Sequence, residues 1–445
     1  MSDIGDQLAA LRRKVARIDK KYAAGLPARP APPTDSRPAR YFIEEWMTGE
    51  VVETPYGHHF ETERLWERHR RHGSMDISNL FELPEDLLGP LGQGEVPARP
   101  ATRWAFLDTE TTGLAGGTGT YAFLIGVGRI CPEGFRVRQF FMRDYGEESS
   151  LLWGLAQHLA EFDVLITYNG KTYDQPLLET RYRMARMRPP FGRLAHLDLL
   201  HGARRLWKLR LESCRLVDLE NQILGVEREG DLPGEMIPYV YFEYLRTQQA
   251  WRVVPIFHHN AMDLLATACL AAIVPLAHRE PEAMRAAHGA DLIGLARWFL
   301  NTALTTREDA SGAEAAGPDT TKRSLGNQWS EQREQALALM RRAVELGLPD
   351  ELLFRALWDI AALEKRLGRE AAAVAVLSEL ASAANPYRVP ALEALAKHYE
   401  HGEPNLATAL EMVRAARAVA DSDDLARRQA RLERRMARPQ SRRLL

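Results

Sequence analysis

Three apolar runs that follow one another closely constrain the fold of this chain more than any other feature. They lie at residues 103–110, 120–130 and 134–143. Glycine-containing turn sequences separate the runs, which therefore predict three consecutive β-strands. The elements predicted after them are a helix, a strand and a helix, near 148–161, 163–168 and 175–187. This order is typical of an α/β domain with helices flanking one mixed sheet.

Asp108 and Glu110 stand at the end of the first predicted strand. Because side chains alternate between the two faces of a strand, both carboxyl groups project from one face and Thr109 from the other. Neighbouring carboxylates raise each other's pKa unless a cation lies between them, and such hard oxygen ligands suit Mg²⁺ or Mn²⁺. The alternative is a polar strand end before a turn, since Asp-x-Glu is a common sequence.

Two further acidic motifs follow along the chain. Asp174 ends the segment Asn-Gly-Lys-Thr-Tyr-Asp, which comes directly after the fourth predicted strand. Asp263 ends the segment His-His-Asn-Ala-Met-Asp, which lies in the mainly helical stretch 238–277.

The order Asp-x-Glu, then Asp, then His near Asp resembles the DEDD superfamily of 3′-5′ exonucleases, which have a ribonuclease H-like fold. More narrowly, the segment 108–120, Asp-Thr-Glu-Thr-Thr-Gly-Leu-Ala-Gly-Gly-Thr-Gly-Thr, is similar to the YprB-type ribonuclease H-like domain family. The segments 168–174 and 259–263 fit the same family. The resemblance covers about residues 100–275.

This resemblance implies a site for two divalent cations, Mg²⁺ or Mn²⁺. Asp108, Glu110 and Asp263 would hold the ion that carries the nucleophilic water. Asp108 would bridge to a second ion, to which Asp174 would contribute through water. Two ions about 4 Å apart stabilise both the attacking and the leaving oxygen of a phosphodiester. Each carboxylate also has a simpler explanation, such as Asp174 capping the next helix, but four independent caps explain the set poorly.

The resemblance also implies contacts with a terminal nucleotide. Its pocket would be lined by Thr111, Thr112, Gly113 and Leu114. Gly113 permits a close approach of the backbone, and Leu114 would wedge against a base. Asn169 would order the turn that follows the fourth strand or contact the substrate.

Two adjacent histidines compete for the role of general base, which needs a pKa near neutrality. His259 lies four residues before Asp263 and His258 lies five before it. Four residues of helix turn through about 400°, which returns His259 to the face of Asp263. If the helix has begun by residue 258, His259 is the base; if the chain is still a loop there, His258 reaches in. The neighbouring Asn260 favours His259.

Local charge supports a nucleic-acid partner. Ten basic and two acidic residues lie between 181 and 215. Basic side chains near an acidic metal site would hold the phosphate backbone. The candidates for these contacts are Arg181, Arg204 and Arg205. A solvated helix face is the alternative for any single arginine.

The composition agrees with a globular protein of two or three domains. The chain has 445 residues and a net charge of −2. Three scattered cysteines argue against a disulfide framework and predict a cytoplasmic location. Residues 1–40 lack the apolar core of a secretion signal, and no run approaches the length of a membrane span. The sequence therefore predicts no membrane partner.

The C-terminal part is rich in Ala and Leu, and Gly368 and Gly402 lie 34 residues apart, the period of tetratricopeptide repeats. An α-helical repeat domain that binds a protein partner is predicted; a nonrepetitive helical bundle is the alternative. The predicted divisions are a linker, an accessory segment, a ribonuclease H-like domain, a helix with a polar linker and the repeat domain, at 1–40, 41–98, 99–278, 279–330 and 331–445.

The sequence thus predicts a metal-dependent 3′-5′ exonuclease of ribonuclease H-like fold, acting on DNA or RNA. Two alternatives remain open. One is a catalytically inactive scaffold that binds nucleic acid, although four intact carboxylates argue against it. The other is a structure-specific endonuclease that uses the same metals.

Overall fold

The computed structural model describes residues 42–92, 94–113, 118–284, 288–312 and 320–437. These residues form two compact units. The first contains the described residues up to 204 together with 213–280, and the second contains 205–212 and the described residues from 281 onward.

A seven-stranded mixed sheet is the centre of the first unit. Its strands, in spatial order, are β1, β2, β7, β6, β5, β8 and β9. Their bounds are Glu50–Thr54, Gly57–Glu67, Gly134–Phe141, Ala122–Cys131, Trp104–Thr111, Val164–Thr167 and Ala195–Asp198. Neighbours are antiparallel except that β8 runs parallel to both β5 and β9. The predicted mixed sheet with flanking helices is confirmed.

Residues assigned by sequence to an accessory segment extend this sheet. The hairpin of β1 and β2 joins it through β2, which pairs with β7 along eight residues, from Phe60↔Phe141 to Glu67↔Gly134. A separate two-stranded ribbon follows, with β3 at Arg71–His72 and β4 at Met75–Asp76.

Seven α-helices accompany the sheet among the residues described up to Arg279. They are α1 to α7, at Ser78–Phe81, Glu148–Leu159, Asp174–Met184, Leu199–Trp207, Leu216–Leu219, Ile237–Thr247 and Val254–Arg279. The elements predicted from 148 to 187 thus occur in the predicted order. A π-helical turn, Glu220–Leu224, directly follows α5.

Helices cover both faces of the sheet. α2 packs against β1, β2 and β7, whereas α7 contacts β5, β6 and β7. Gly126 on β6 faces α7 so closely that a Cβ atom there would lie 2.1 Å from Oδ1 of Asn260. The absence of a side chain at Gly126 therefore lets α7 reach the middle of the sheet.

The helix α7 corrects one expectation from the sequence. By length and composition it is apolar enough to cross a membrane, although no such run was expected. Of its most apolar window, 72% is buried inside the protein. This burial is that of a core helix, whose apolar side chains pack against the sheet.

The described part of the second unit is helical from residue 289 onward. Its helices α8 to α14 are Gly289–Gly312, Thr320–Leu346, Asp350–Arg366, Glu370–Ser382, Arg388–His401, Leu406–Val419 and Asp423–Ala437. Each helix packs against the next one in the chain. The predicted helical region is confirmed, whereas its assignment to tetratricopeptide repeats stays a prediction. The expected polar linker is helical up to Gly312 and again from Thr320.

Candidate active site at the end of the central strand

Asp108 and Glu110 lie on β5, in the middle of the sheet. Asp108 pairs with Gly126, so its side chain shares the face that α7 covers. Asn260 of α7 donates from Nδ2 to Oδ2 of Asp108 at 2.8 Å. Asn260 is itself fixed, because Nε2 of Gln139 donates to its Oδ1 at 2.8 Å. This buried chain of side chains locks α7 onto the acidic end of β5.

Asp174 reaches the same strand from the other side. It is the first residue of α3 and is 7% exposed. Thr109, which projects from the opposite face to Asp108, donates from Oγ1 to Oδ1 of Asp174 at 2.5 Å. The contact ties the start of α3 to β5.

The carboxyl groups act on one another electrostatically. Burial raises the pKa of Asp108 well above its ordinary value, and the charges of Asp263, Glu110 and Asp174 raise it further, while Asn260 opposes them. Burial raises the pKa of Glu110 to about 8, with His259 opposing the shift and Asp263 and Asp174 adding to it. Asp108 and Glu110 therefore lie near enough to Asp174 and Asp263 for those charges to shift their pKa values.

Burial also raises the pKa of Asp174, to about 6, although the hydrogen bond from Thr109 lowers it in part. Three of the four carboxyl groups therefore hold a proton more readily than a free carboxyl group does, because burial disfavours their charged forms. Such a site favours protons or cations.

The residue at which α7 begins decides between the two candidate histidines. Because the helix begins at Val254, His259 lies on the face of Asp263, with Nε2 3.7 Å from Oδ2. Nδ1 of His259 lies 2.8 Å from Oδ2 of Asp231. Burial lowers the pKa of His259, but Asp231, Asp263 and Glu110 outweigh this effect and raise it to about 9.

His258 points elsewhere. It is exposed, and its Nδ1 lies 3.2 Å from Nη1 of Arg64 on β2. Of the two candidates that the sequence left open, only His259 is brought to the carboxylates.

Arg228 and Asp231 belong to the site but were missed by the sequence analysis. Arg228 is nearly buried, and its Nη2 lies 2.6 Å from Oδ1 of Asp263. Its Nη1 lies 3.2 Å from Oδ2 of Asp231. Both residues stand in an irregular segment between the π-helical turn and α6, where no periodic pattern or motif indicates their partners. The polar composition of that segment was its one visible signal.

The residues predicted to line a nucleotide pocket follow the acidic pair directly. Thr111 donates from Oγ1 to the carbonyl oxygen of Gly113 at 2.8 Å. Oγ1 of Thr112 accepts from the backbone amide of Tyr121 at 3.0 Å. These bonds close the turn after β5 beside the carboxylates. Leu114 lies outside the described residues.

Asn169 is held in a left-handed conformation, with φ of 67°. Its backbone amide donates to Oδ1 of Asp198 at 2.8 Å, and that of Lys171 donates to Oδ2 at 3.1 Å. Asp198, at the end of β9, therefore fixes the loop that leads to Asp174.

The three predicted phosphate-binding arginines have different surroundings. Arg181 is 2% exposed and is paired with Glu148, so its guanidinium is not presented to a nucleic acid. The structure therefore corrects its predicted role: Arg181 ties α3 to α2 and stacks over Tyr121 at 3.7 Å. Counting charged residues along the sequence could not reveal that Glu148 neutralises Arg181.

Arg204 is exposed. Burial raises the pKa of Tyr168, next to Asn169, and the nearby charge of Arg204 opposes this shift. Arg205 is exposed as well and belongs to the second unit, where it lies over the ring of Trp298 at 5.3 Å. Arg204 thus lies close to the loop that follows β8 and leads to Asp174.

The donor set fits hard divalent ions. Asp108, Glu110, Asp174 and Asp263 offer only oxygen ligands, which Mg²⁺ and Mn²⁺ prefer. Burial raises the pKa values of the first three, and neighbouring carboxylates add to this effect, so a bound cation would stabilise their charged forms. Among the described residues, no three such side chains are already arranged around an ion-sized space. Two of the four carboxylates already have protein partners: Thr109 donates to Asp174, and Arg228 forms an ion pair with Asp263.

Comparison with known proteins agrees with this geometry. Residues 105–274 match the RNase_H superfamily. The chain is 31% identical over 315 residues to the uncharacterized protein YprB of Bacillus subtilis (strain 168). That alignment covers 69% of this chain and 67% of the relative.

Proposed function

We propose that this chain, which belongs to the RNase H superfamily together with YprB, is a metal-dependent 3′-5′ exonuclease of DNA or RNA. The observation that carries the proposal is the group of four carboxylates at the end of β5, where burial and then the neighbouring charges raise the pKa values of Asp108 and Glu110. Proteins with the RNase H superfamily fold are generally nucleases, so the fold itself suggests hydrolysis of nucleic acid.

The four carboxylates would hold two divalent cations. Bound there, the ions would lower the pKa of a water molecule and stabilise charge on the attacking and leaving oxygens. Without metal, Asp231, Asp263 and Glu110 raise the pKa of His259 to about 9, and cations bound to Asp263 and Glu110 would lower it toward neutrality. His259 would then accept the proton of the attacking water at Nε2, because Asp231 engages Nδ1. Asn260 would keep Asp108 in a fixed orientation through the reaction.

Recognition of a strand end is supported by the turn after β5. The bonds of Thr111 and Thr112 place backbone groups and a glycine next to the carboxylates, where a terminal nucleotide needs close contact. The exposed Arg204 would contribute phosphate contacts. The 3′-5′ polarity rests on the resemblance to DEDD exonucleases. We further propose a cytoplasmic location and a protein partner for the second unit.

Digestion of end-labelled substrates tests the proposal. Linear DNA and RNA, and closed circles of each, would be incubated with Mg²⁺, with Mn²⁺ or with EDTA. We expect mononucleotides released from 3′ ends with either ion, none with EDTA, and intact circles. Cut circles would indicate an endonuclease instead. Binding of nucleic acid without any cleavage would favour a scaffold.

A further inference from the structure

Arg228 is a cation built into the acidic site. Only 6% of its side chain is exposed, and it faces three carboxylates: Asp263, Asp231 and Glu220. Removing a guanidinium from water is costly unless its hydrogen bonds are replaced. At Arg181, which is similarly buried, one carboxylate, that of Glu148, and the carbonyl oxygen of Thr118 serve this purpose. Arg228 has three acidic partners where Arg181 has one, and this difference requires another explanation.

Glu220 and the residues bound to it fix the position of the Arg228 side chain. Its Nε contacts Glu220, which is fully buried in the π-helical turn. The other oxygen of Glu220 lies 3.0 Å from Nε2 of His72 on β3. The ribbon that carries His72 is attached to the same turn, because the amide of Ser74 donates to the carbonyl of Leu224 at 2.7 Å. The guanidinium consequently has little freedom to leave the site.

The guanidinium of Arg228 contacts one carboxylate oxygen of Asp263, and His259 lies beside the other. Nη2 lies 2.6 Å from Oδ1, whereas Oδ2 lies on the side of His259, 3.7 Å from its Nε2. Arg228 also contacts the Asp231 oxygen that engages Nδ1 of His259. One side chain thus orients both a predicted metal ligand and the partner of the predicted base.

We infer that Arg228 is a positioning residue that reserves Oδ1 of Asp263, leaving Oδ2 for a divalent ion on the side of His259. The inference rests on the proposed function of the site. It has two consequences. First, the positive charge of Arg228 repels a nearby cation and weakens ion binding. Second, its contacts with Asp263 and Asp231 keep the ion and the base correctly positioned for hydrolysis.

Binding of Mn²⁺ and turnover distinguish these consequences. Free Mn²⁺ would be measured by electron paramagnetic resonance during titration of the wild type, Arg228→Gln and Arg228→Lys, and kcat and KM would be determined for each. For Arg228→Gln we expect Mn²⁺ binding about tenfold tighter, since a repelling charge is lost, and kcat about 100-fold lower with little change in KM. Arg228→Lys keeps the charge, so its Mn²⁺ affinity should stay near that of the wild type while kcat falls.

Arg181→Gln is the matched control, because it removes an equally buried arginine outside the acidic site. Its Mn²⁺ affinity should equal that of the wild type. Unchanged or weaker Mn²⁺ binding in Arg228→Gln, or an unchanged kcat, would overturn the inference. If Arg228→Gln does not fold, Arg228→Lys decides, and wild-type kcat in that variant contradicts the role. A wild type that binds no Mn²⁺ would instead refute the proposed function itself.

Discussion

Two buried clusters of charge in this protein are built in opposite ways. In the second unit, the carboxylate of Glu400 is 2% exposed and receives three arginines of α14, Arg428, Arg431 and Arg435, at 2.8–2.9 Å. Burial alone would raise the pKa of Glu400, but Arg431 and Arg428 lower it below its ordinary value. In the first unit, several carboxylates share Arg228 and His259, and the pKa of Glu110 rises to about 8.

The difference separates a structural cluster from a reactive one. A carboxylate with more cations than it needs is stable as it stands and has no use for a further ion. Carboxylates with too few cations store repulsion that a metal relieves. The two clusters therefore make opposite predictions for stability and for activity.

Asp108→Asn should produce the largest effect. Hydrolysis should fall by about 1,000-fold or more, because a ligand and its charge are lost. Folding stability without metal should be unchanged or higher, because repulsion with Glu110 is removed and the amide can still accept from Asn260. Digestion rates and thermal unfolding of the metal-free protein measure both. Loss of stability together with activity would place Asp108 in a structural cluster instead.

Replacement of the two histidines should separate them. His259→Asn should lower kcat by about 100-fold, the usual contribution of a general base. His258→Asn is the matched control, since its exposed ring contacts Arg64 rather than the carboxylates, and its kcat should stay within about twofold of the wild type. Equal losses in both variants would contradict the assignment of the base.

Stabilisation by Mg²⁺ should grow with pH. The pKa of Glu110 is raised from 4.5 to about 8 and that of His259 from 6.5 to about 9. Both groups bind more protons when folded, so the stability they provide at low pH is lost as the pH rises through these values. Saturating Mg²⁺ should therefore raise the unfolding temperature by about 5 °C near pH 8, and by less near pH 5.5, where protons compete for the carboxylates.

Asp108→Asn serves as the control for this effect. In that variant the gain from Mg²⁺ should largely disappear at both pH values. An equal gain at every pH in the wild type would show that Mg²⁺ acts elsewhere on the protein.

Glu400→Gln should have the smallest effect, and on stability alone. It leaves three arginines without their shared carboxylate, at a cost of about 1–2 kcal/mol, because the arginines are partly exposed. The exposed Glu403, near the same end of α12, is the matched control, and Glu403→Gln should change stability by less than about 0.5 kcal/mol. Chemical denaturation compares them. A stable Glu400→Gln would remove the contrast between the clusters.

The sheet and the four carboxylates were predictable because their signals are local. Apolar runs separated by turns predicted β5 to β8. Short motifs identified the acidic residues Asp108, Glu110, Asp174 and Asp263. The choice of His259 needed only the residue at which α7 begins, and the sequence left that residue open.

What the sequence did not predict depends on contacts between distant segments. Arg181 is neutralised by Glu148, 33 residues away in the chain. Strand β2 joins the sheet by pairing with β7, whose residues lie 67 to 81 positions later, from Glu67↔Gly134 to Phe60↔Phe141. Arg228 enters the site through an irregular segment, fixed by His72 and Glu220. No periodicity or spacing encodes these partners, since each is set by three-dimensional packing.

Anomalous diffraction from a crystal soaked in Mn²⁺ with a short oligonucleotide tests the central claim most directly. We predict two Mn²⁺ peaks bound by Asp108, Glu110, Asp174 and Asp263, with the 3′ end of the strand beside them and Arg228 still bonded to Oδ1 of Asp263. Full Mn²⁺ occupancy elsewhere on the protein, with no peak among these carboxylates, would contradict the account.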